Sequence, residues 1–312
     1  MRKVLFLGAN LAGIKCIQLM IEHPGIEIVG VLPRINDNGS ISDESAWNAS
    51  VRRFGNKNGL DVFRESDANN SLFYNWAKSL KPDYIISVQY DIILKSMIRS
   101  LPVKGCLNLH FSLLPYGKGC MPIPWAMFEN KAIGATLHYI DRGIDTGPII
   151  SQIKCDYSYS DTAYSVYMRL TEKSVQLFKS NLNNIANGNV KSEPQPTKKQ
   201  PRDAFNNTIN EEINWKWSGD KIDRFVRART FNGFKSAETS NKNELFEINH
   251  PVTVKNNKTK NKDVVPGQIL YVNKDSFIIC TKDGSVTVND CSLIKPYTKH
   301  FKVGDIIGDR CQ

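Results

Sequence analysis

The N-terminal stretch MRKVLFLGANLAGIKCIQLMIEHPGIEIVGVLP, residues 1–33, decides the fold. Val4–Leu7 is an apolar run that ends at Gly8, and Ile26–Leu32 is a second run that ends at Pro33. Between them, apolar residues recur at helical spacing over Leu11–Ile21. A strand, a helix and a strand in this order form a βαβ unit, which predicts a doubly wound, Rossmann-like α/β domain with a parallel sheet.

The turn from Gly8 to Gly13 joins the first strand to the first helix. Its G-x-x-x-x-G spacing is neither the dinucleotide-binding fingerprint nor a P-loop. Two interpretations stay open: tight packing of the strand against the helix, or a loop lining the ligand crevice at the carboxyl edge of the sheet.

Further along the chain, Tyr84–Val88, Leu107–His110 and Ala135–Ile140 are predicted strands of the same sheet. Three prolines among polar residues at 191–205 predict a linker of extended character. Beyond it, a short helix and regular short strands predict a small β-barrel: Asp220–Arg229, then Glu244–Ile248, Gln268–Val272, Phe277–Thr281 and Ser285–Val288. The predicted domains are therefore 1–190 and 206–312.

The charge of the chain permits an anionic partner without identifying one. Its 312 residues carry 41 Lys and Arg against 31 Asp and Glu, a net charge of +10. The excess is spread out, with 23 basic against 17 acidic residues in 1–200 and 18 against 14 in 201–312. A distributed charge weakens the case for nucleic-acid binding.

Seven scattered cysteines, with no C-x-x-C pair, argue against a disulfide scaffold or a zinc site and indicate reduced thiols. No stretch reaches the roughly 18 apolar residues of a membrane span, and the N-terminus does not resemble a secretory signal. We expect a cytoplasmic protein that needs no metal.

The strongest chemical signal is Asn108-Leu109-His110. On a strand, residues two apart face the same side, so the Asn108 amide and the His110 imidazole point together. Such a pair can polarise a carbonyl oxygen and move a proton, although capping and core roles are common for these residue types. Downstream, the Gly-flanked loop around Asp145 supplies a carboxylate that could orient the imidazole and raise its proton affinity.

These motifs resemble the N10-formyltetrahydrofolate-dependent formyltransferase family, above all its methionyl-tRNA and nucleotide-sugar N-formyltransferase branches. The resemblance rests on Asn108-Leu109-His110, on Ser112-Leu113-Leu114-Pro115 and on Gly143-Ile144-Asp145-Thr146-Gly147-Pro148-Ile149. It extends to the C-terminal part of the chain, where Ile213-Asn214-Trp215 and Ile222–Ala228 are similar to the entry to that family's C-terminal domain. Pro266-Gly267-Gln268-Ile269 and Val303–Gly308 are similar to its small OB-like barrel.

The resemblance implies catalytic roles for Asn108, His110 and Asp145 and a formyltetrahydrofolate co-substrate. By analogy, Asn108 and His110 would stabilise the tetrahedral oxyanion, and Asp145 would orient His110 and accept the proton of the attacking amine. The positions matching the family's folate pocket are Tyr90, Ile92, Ile93, Leu94, Ser112, Leu113, Leu114, Pro115 and Asp141. Candidates for the acceptor pocket are Tyr116, Lys118, Met121 and Trp125.

The acceptor is predicted from charge. The tRNA-modifying branch carries a basic insertion after its second strand, whereas here Pro33–Val51 has Arg34 as its one basic residue and has Asp37, Asp43 and Glu44. Because phosphate contacts need clustered positive charge, a nucleotide-linked amino sugar is favoured, for example a 4-amino-4,6-dideoxy hexose destined for surface glycans such as the O-antigen of lipopolysaccharide.

Alternatives remain. The first is methionyl-tRNA formyltransferase, with tRNA as the less favoured partner. A formyltetrahydrofolate hydrolase shares the catalytic trio, and a non-enzymatic RNA-binding module could use the run Lys255, Lys258, Lys260 and Lys262, which we interpret as a solvated loop. His138 is interpreted as structural, and a homodimer is expected from the resemblance.

Overall fold

The structure is a computed structural model that describes residues 1–196, 211–231, 233–241, 244–256, 264–273, 276–289, 291–293 (backbone only) and 301–308. The chain divides into two compact units. The first comprises Met1–Pro122, Ala132–Asp156 and Met168–Asn207, and the second comprises Ile123–Lys131, Tyr157–Tyr167 and Thr208–Gln312. The predicted boundaries at 190 and 206 stay a prediction, and residues 197–205 of the predicted linker lie outside the described ranges.

The first unit is built on a six-stranded sheet in the order β2-β1-β3-β4-β5-β6. The strands are β1 (Arg2–Gly8), β2 (Ile26–Pro33), β3 (Tyr84–Val88), β4 (Gly105–His110), β5 (Ile133–Tyr139) and β6 (Ile149–Cys155). The helices along this part of the chain are α1 (Asn10–Ile21), α2 (Val51–Lys57), α3 (Ser71–Leu80), α4 (Ser96–Arg99), α5 (Pro122–Phe128) and α6 (Ala163–Asn187). The predicted doubly wound α/β class is confirmed.

Both faces of β1 are covered. Leu5 and Leu7 lie in one core cluster with Phe73 and other side chains of the α3 face. The intervening Phe6 is also fully buried, on the side where α1 begins, and its ring comes within 3.7 Å of a Cβ placed at Gly13. A strand buried on both faces is the expected state for the centre of a parallel sheet, and each such side chain contributes roughly 1.5–3 kcal/mol.

The Gly8 turn is explained by packing. A Cβ at Gly8 would lie 2.5 Å from the Phe6 ring and 2.8 Å from the Val88 carbonyl oxygen. Only glycine fits this close approach of β1 to β3, so the turn needs Gly8 for steric reasons whatever else it lines.

The sheet is mixed, which the sequence pattern did not indicate. Strands β2, β1, β3 and β4 are mutually parallel, but β5 runs antiparallel to β4 and β6 runs antiparallel to β5. The loop 140–148 turns the chain directly from β5 into β6. A direct return of this kind reverses the strand, whereas a parallel neighbour needs a longer crossover.

The second unit contains α7 (Gly219–Arg229) and two antiparallel sheets, ordered β10-β11-β12-β9 and β13-β8-β7. Its strands are β7 (Ala237–Asn241), β8 (Glu244–Ile248), β9 (Val252–Lys255), β10 (Ile269–Val272), β11 (Phe277–Cys280), β12 (Ser285–Val288) and β13 (Cys291–Leu293). Side chains of both sheets and of α7 enter one core, which includes Phe225, Ile248 and Ile279. This barrel-like domain confirms the predicted small β domain.

Two further points of the fold bear on function. No helix in the described ranges is long and apolar enough to cross a membrane. The described cysteine side chains, Cys16, Cys106, Cys120, Cys155 and Cys280, are all free thiols.

Candidate active site

The candidate site lies at the carboxyl end of β4, within the first unit. Asn108 and His110 occupy alternate positions on β4 and therefore face the same side of the sheet, as predicted. In the antiparallel partner β5, Asn108 is opposite His138 and His110 is opposite Thr136. Opposite residues in adjacent strands share a face, so the strand pair presents an amide, a hydroxyl and two imidazoles together.

The loop 140–148 adds Asp145 to this face. Its carboxylate Oδ2 accepts a hydrogen bond from the Gly119 N–H at 2.8 Å and lies 3.7 Å from His110 Nε2. Its Oδ1 lies 3.4 Å from Asn108 Nδ2 and 3.5 Å from His138 Nε2. The structure thus brings together the three residues that the sequence nominated as catalytic.

The surroundings of Asp145 favour the charged form of its carboxyl group. Its side chain is 14% exposed, and burial alone would raise the pKa of the carboxyl. A positive charge on His110, the hydrogen bond to His138 and the Gly119 N–H oppose this effect and hold the pKa of the carboxyl well below its usual range. The same coupling means that the carboxylate stabilises positive charge on the facing imidazoles.

His138, which the sequence analysis interpreted as structural, also faces this cluster. It is 1% exposed, and its Nδ1 donates to the Tyr139 carbonyl oxygen at 2.8 Å. Its Nε2 faces Asn108 Nδ2 at 3.2 Å as well as Asp145. The alternation of Thr136 and His138 was visible in the sequence, but the pairing of β5 with β4 that brings His138 opposite Asn108 was not.

His110 has a second partner in the loop that follows β4. Its Nε2 lies 2.8 Å from the Gly117 carbonyl oxygen. A carbonyl can only accept, so Nε2 carries a proton. Gly117 and Gly119 have φ angles of +66° and +83°, in the left-handed region that favours glycine. These two glycines let the loop turn one carbonyl towards His110 and one N–H towards Asp145.

The residues predicted to line the folate pocket fall into three groups. The Tyr90 hydroxyl donates to Ser66 O at 2.6 Å and accepts from Ala68 N at 3.0 Å, and Leu94 lies in the core cluster. Ile92 is half-buried and Ile93 is exposed. The structure shows Tyr90 and Leu94 supporting the loop after β3, and the folate role of this group stays a prediction.

The second group, Ser112–Pro115, is held in place by side chains of β5 and β6. Thr136 Oγ1 donates to Ser112 O at 2.6 Å and accepts from Leu114 N at 3.1 Å, while Gln152 Nε2 donates to Leu114 O at 2.8 Å. Leu114 and Pro115 are buried and Leu113 is half-buried. This segment is therefore fixed beside His110, and its folate role is likewise a prediction.

Asp141 forms the third group and shapes the loop that carries Asp145. Its Oδ1 accepts from Gly143 N at 3.0 Å and from Thr146 Oγ1 at 2.6 Å. Both bonds close the loop on itself, so Asp141 has a structural role here whether or not folate also contacts it.

The predicted acceptor residues are dispersed. Tyr116 is 51% exposed, Lys118 is half-buried, and Met121 has a φ angle of +54°. Trp125 lies in the second unit, where it packs with Phe128 against the core of that unit. Tyr116 and Lys118 flank Gly117, and the acceptor roles of all four residues stay a prediction.

Two other predictions concern metals and the basic run. In the part of the chain that is described, no group of three His, Cys, Asp or Glu side chains could hold a metal ion. Lys258, Lys260 and Lys262 of the basic run lie outside the described residues, so the structure says nothing of that run beyond Lys255, the last residue of β9.

An amide, two imidazoles and a buried carboxylate thus meet in one cluster, a set of groups able to stabilise charge on a carbonyl oxygen. Family comparison agrees: the Formyl transferase family matches residues 2–182, and its C-terminal domain family matches residues 207–297. The chain belongs to the formyl transferase family and is a formyl-transferring enzyme.

The similar proteins fall into two groups. The methionyl-tRNA formyltransferase of Legionella pneumophila (strain Corby) is 27% identical over 304 residues, which cover 97% of this chain and 93% of that protein. A second similar protein is the N-formyltransferase of Helicobacter canadensis, solved in complex with folinic acid and dTDP-3-aminofucose. The two chains are 24% identical with a TM-score of 0.71, and the match covers 94% of this chain and 100% of the Helicobacter chain. The sugar 3N-formyltransferase WlaRD, solved with dTDP and 5-N-formyl-tetrahydrofolate, has a TM-score of 0.66 and 22% identity over 95% and 99% of the two chains.

At these identities the solved structures establish the shared fold. They confirm the predicted architecture, while the family models confirm the predicted family. Together the comparisons leave the formyl acceptor undistinguished.

Proposed function

We propose that this protein transfers the formyl group of N10-formyltetrahydrofolate to the amino group of a nucleotide-linked amino sugar. The co-substrate is that of the family to which the chain belongs. The observation that carries the chemistry is the cluster of Asn108, His110 and Asp145. The Asp145 carboxylate lies 3.4 Å from Asn108 Nδ2 and 3.7 Å from His110 Nε2.

The reaction begins when the neutral amine attacks the formyl carbon and charge develops on the formyl oxygen. Asn108 has two N–H groups on Nδ2, and in this structure Nδ2 faces Asp145 Oδ1 at 3.4 Å and His138 Nε2 at 3.2 Å. One of these N–H groups turns to the formyl oxygen when substrate binds. His110 carries a proton on Nε2 that can serve the same oxygen when substrate displaces the Gly117 carbonyl. A donor of this kind is worth about 2.7–4 kcal/mol in the transition state.

The amine must lose a proton and the departing tetrahydrofolate nitrogen must gain one. His110 is the side chain placed to carry it, because its ring can be doubly protonated while Asp145 stabilises the positive charge. In this proposal Asp145 orients His110 and stabilises its positive charge. The sequence-based hypothesis that Asp145 also accepts the proton of the attacking amine stays a prediction.

His138 supports the same carboxylate from the other side. Its Nδ1–H is committed to the Tyr139 carbonyl oxygen, which fixes the ring with Nε2 towards Asp145 and Asn108. We assign it to positioning the carboxylate and the amide.

The choice of a sugar acceptor rests on the loop after β2. Its acidic residues are used to hold the loop together: Asp37 accepts from the N–H of Arg52, and Glu44 pairs with Lys57 at 2.7 Å. The Arg52 guanidinium donates inwards to Asp37 O at 2.8 Å and to Phe63 O at 3.0 Å. Arg52 and Lys57 of α2 are thus engaged with this loop, which leaves Arg34 as the basic residue of the loop itself. A single charge does not favour tracking the phosphates of a tRNA.

The second candidate is methionyl-tRNA formyltransferase. It is supported by the similarity to the Legionella protein over nearly the whole chain, including the C-terminal domain. The O-antigen context, the cytoplasmic location and a homodimer belong to the proposal for the sugar enzyme and rest on the resemblance and on the free thiols.

The test supplies N10-formyltetrahydrofolate with UDP-, dTDP- and GDP-linked amino sugars in separate reactions, and with charged initiator tRNA in another. The proposal expects one sugar nucleotide to be formylated with stoichiometric release of tetrahydrofolate. Formylation of the tRNA alone would overturn the sugar assignment. Formate release without any acceptor would favour a hydrolase. The His110→Ala protein is the control for background transfer.

A further inference from the structure

The segment that follows α6 returns to the candidate site. We name residues 190–196 the strap. Glu193 in the strap pairs antiparallel with Ile149, the first residue of β6, through two backbone hydrogen bonds: Glu193 N to Ile149 O at 2.8 Å and Ile149 N to Glu193 O at 2.7 Å. The strap is therefore fixed beside the end of the loop 140–148.

Gln195 of the strap reaches into that loop. Its Nε2 donates to the carbonyl oxygens of Asp145 and Gly147, each at 2.8 Å. A primary amide has two N–H groups on one nitrogen, so a single side chain satisfies both carbonyls. The Gln195 Oε1 is buried and has no hydrogen-bond partner among the described residues. The side chain thus leaves its oxygen without a hydrogen bond while both of its N–H groups are used. This indicates that the position of Gln195 is set by the two bonds that its N–H groups donate.

The loop needs such a restraint. Asp145 has a φ angle of +50°, a left-handed conformation that non-glycine residues adopt only when their surroundings hold them there. A Cβ at Gly147 would lie 1.8 Å from the Tyr139 carbonyl oxygen, so the loop also packs closely against β5. The Asp145–Gly147 backbone is thus held by both Tyr139 and Gln195.

We infer that Gln195 is a positioning residue for formyl transfer: its amide holds the Asp145 backbone so that the carboxylate faces His110 and His138. The hydrogen bonds that the Gln195 side chain makes within the described residues go to these two carbonyls, and it acts through them. The distances from the carboxylate to His110 Nε2 (3.7 Å), to His138 Nε2 (3.5 Å) and to Gly119 N (2.8 Å) all depend on that backbone.

The side-chain chemistry is restrictive. A carboxylate from Gln195→Glu would place a negative acceptor against two carbonyl oxygens. Gln195→Met keeps the length and volume of the side chain but removes both donors, so it is the variant with the best prospect of folding. Neither change touches substrate, because the interaction lost is with the enzyme backbone.

The experiment compares Gln195→Met, Asp145→Asn and the double variant with the wild type. We expect Gln195→Met to lower kcat on the order of 10- to 100-fold with little change in KM, because small misplacements of a catalytic group cost this much. In the Asp145→Asn background the same substitution should cost nothing further, since the carboxylate it positions is already gone. Additive losses, or a loss confined to KM, would overturn the inference.

Asn181→Ala is the matched control. Asn181 Nδ2 also makes two hydrogen bonds of 2.8 Å, to Leu177 O and to Ser151 Oγ, and it is buried in the same unit. Its loss should lower thermal stability at least as much as Gln195→Met and leave kcat near the wild-type value. A similar fall in kcat in both variants would assign the effect to general destabilisation and overturn the positioning role.

An acceptor-independent readout separates this inference from the proposed function on which it rests. The Gly119 N–H is held by the Asp145 carboxylate, so its hydrogen exchange reports the carboxylate position directly. Exchange at Gly119 should accelerate in Gln195→Met and remain unchanged in Asn181→Ala. Unchanged exchange in Gln195→Met would refute the inference, whereas failure to formylate any sugar would refute only the sugar assignment. The kinetic comparison would then use whichever acceptor the wild-type enzyme turns over.

Discussion

Replacing Asp145 by Asn removes the one charge that the site places between its two imidazoles. Asn keeps the shape of the side chain, and it tolerates the left-handed conformation that Asp145 adopts at a φ of +50°, so the loop should remain in place. What changes is the interaction with His110 Nε2 at 3.7 Å and His138 Nε2 at 3.5 Å.

The magnitude follows from these distances. At an effective dielectric constant of about 20, two unit charges at this separation interact by about 4 kcal/mol. That energy is available when His110 becomes doubly protonated on the reaction path. Its loss corresponds to a fall of about 10³-fold in kcat, since each 1.36 kcal/mol is tenfold.

The assay follows release of tetrahydrofolate at saturating acceptor, with KM for both substrates measured in parallel. Asp83→Asn is the matched control. Asp83 is also paired with a cation, Arg2 at 3.3 Å, in the same unit. It precedes β3 and therefore lies at the opposite edge of the sheet from the carboxyl end of β4. Asp145→Asn should retain KM within about threefold, the change expected when an interaction made mainly in the transition state is removed. A kcat within tenfold of wild type, or a loss expressed in KM, would refute the charge-stabilising role.

Four further outcomes are expected. His110→Ala should lower kcat at least about 10²-fold while leaving folate affinity, measured by fluorescence titration, largely intact, and substantial residual transfer would show the oxyanion role to be misassigned. Because the pKa of Asp145 is lower in the folded than in the unfolded state, its stabilising contribution is complete above the ordinary Asp range and is lost as pH falls through the folded pKa. The difference in Tm between wild type and Asp145→Asn should therefore shrink from pH 6 towards pH 3, and a constant difference would contradict this. Gly147→Ala should destabilise the fold by about 1–3 kcal/mol in denaturant unfolding, because its Cβ would meet Tyr139 O at 1.8 Å, while Gly13→Ala, whose nearest contact is 3.1 Å, should cost less. Among the described cysteines, the exposed Cys120 should react first with a thiol reagent. Burial raises the pKa of the Cys106 thiol to about 12 and should protect that thiol from the reagent. Equal rates at the two cysteines would argue against the fold at both positions.

Much of the architecture was predictable because it is local. The period-2 and period-3.6 patterns place β3 over Tyr84–Val88 and β8 over Glu244–Ile248 with the bounds that the structure has. The same alternation aims Asn108 and His110 to one side of β4. The family motifs supplied Asp145, which no periodicity would have linked to a strand almost forty positions earlier.

What could not be predicted depends on contacts that are distant in sequence. β6 has an irregular pattern of exposure at the edge of the sheet, so Ile149–Cys155 did not read as a strand. The antiparallel direction of β5 is set by tertiary packing, and without it His138 cannot be placed opposite Asn108. Gln195 lies fifty residues from Asp145, and only the bridge at Glu193 brings its amide to the loop.

The most direct test of the account is the specificity ratio: kcat/KM for the best nucleotide-linked amino sugar divided by kcat/KM for charged initiator tRNA, both measured with N10-formyltetrahydrofolate on the same preparation. The account predicts a ratio of at least about 10², because a site built on hydrogen bonds to one acceptor rejects an unrelated one strongly. A ratio below one would contradict it and assign the Asn108, His110 and Asp145 cluster to tRNA formylation.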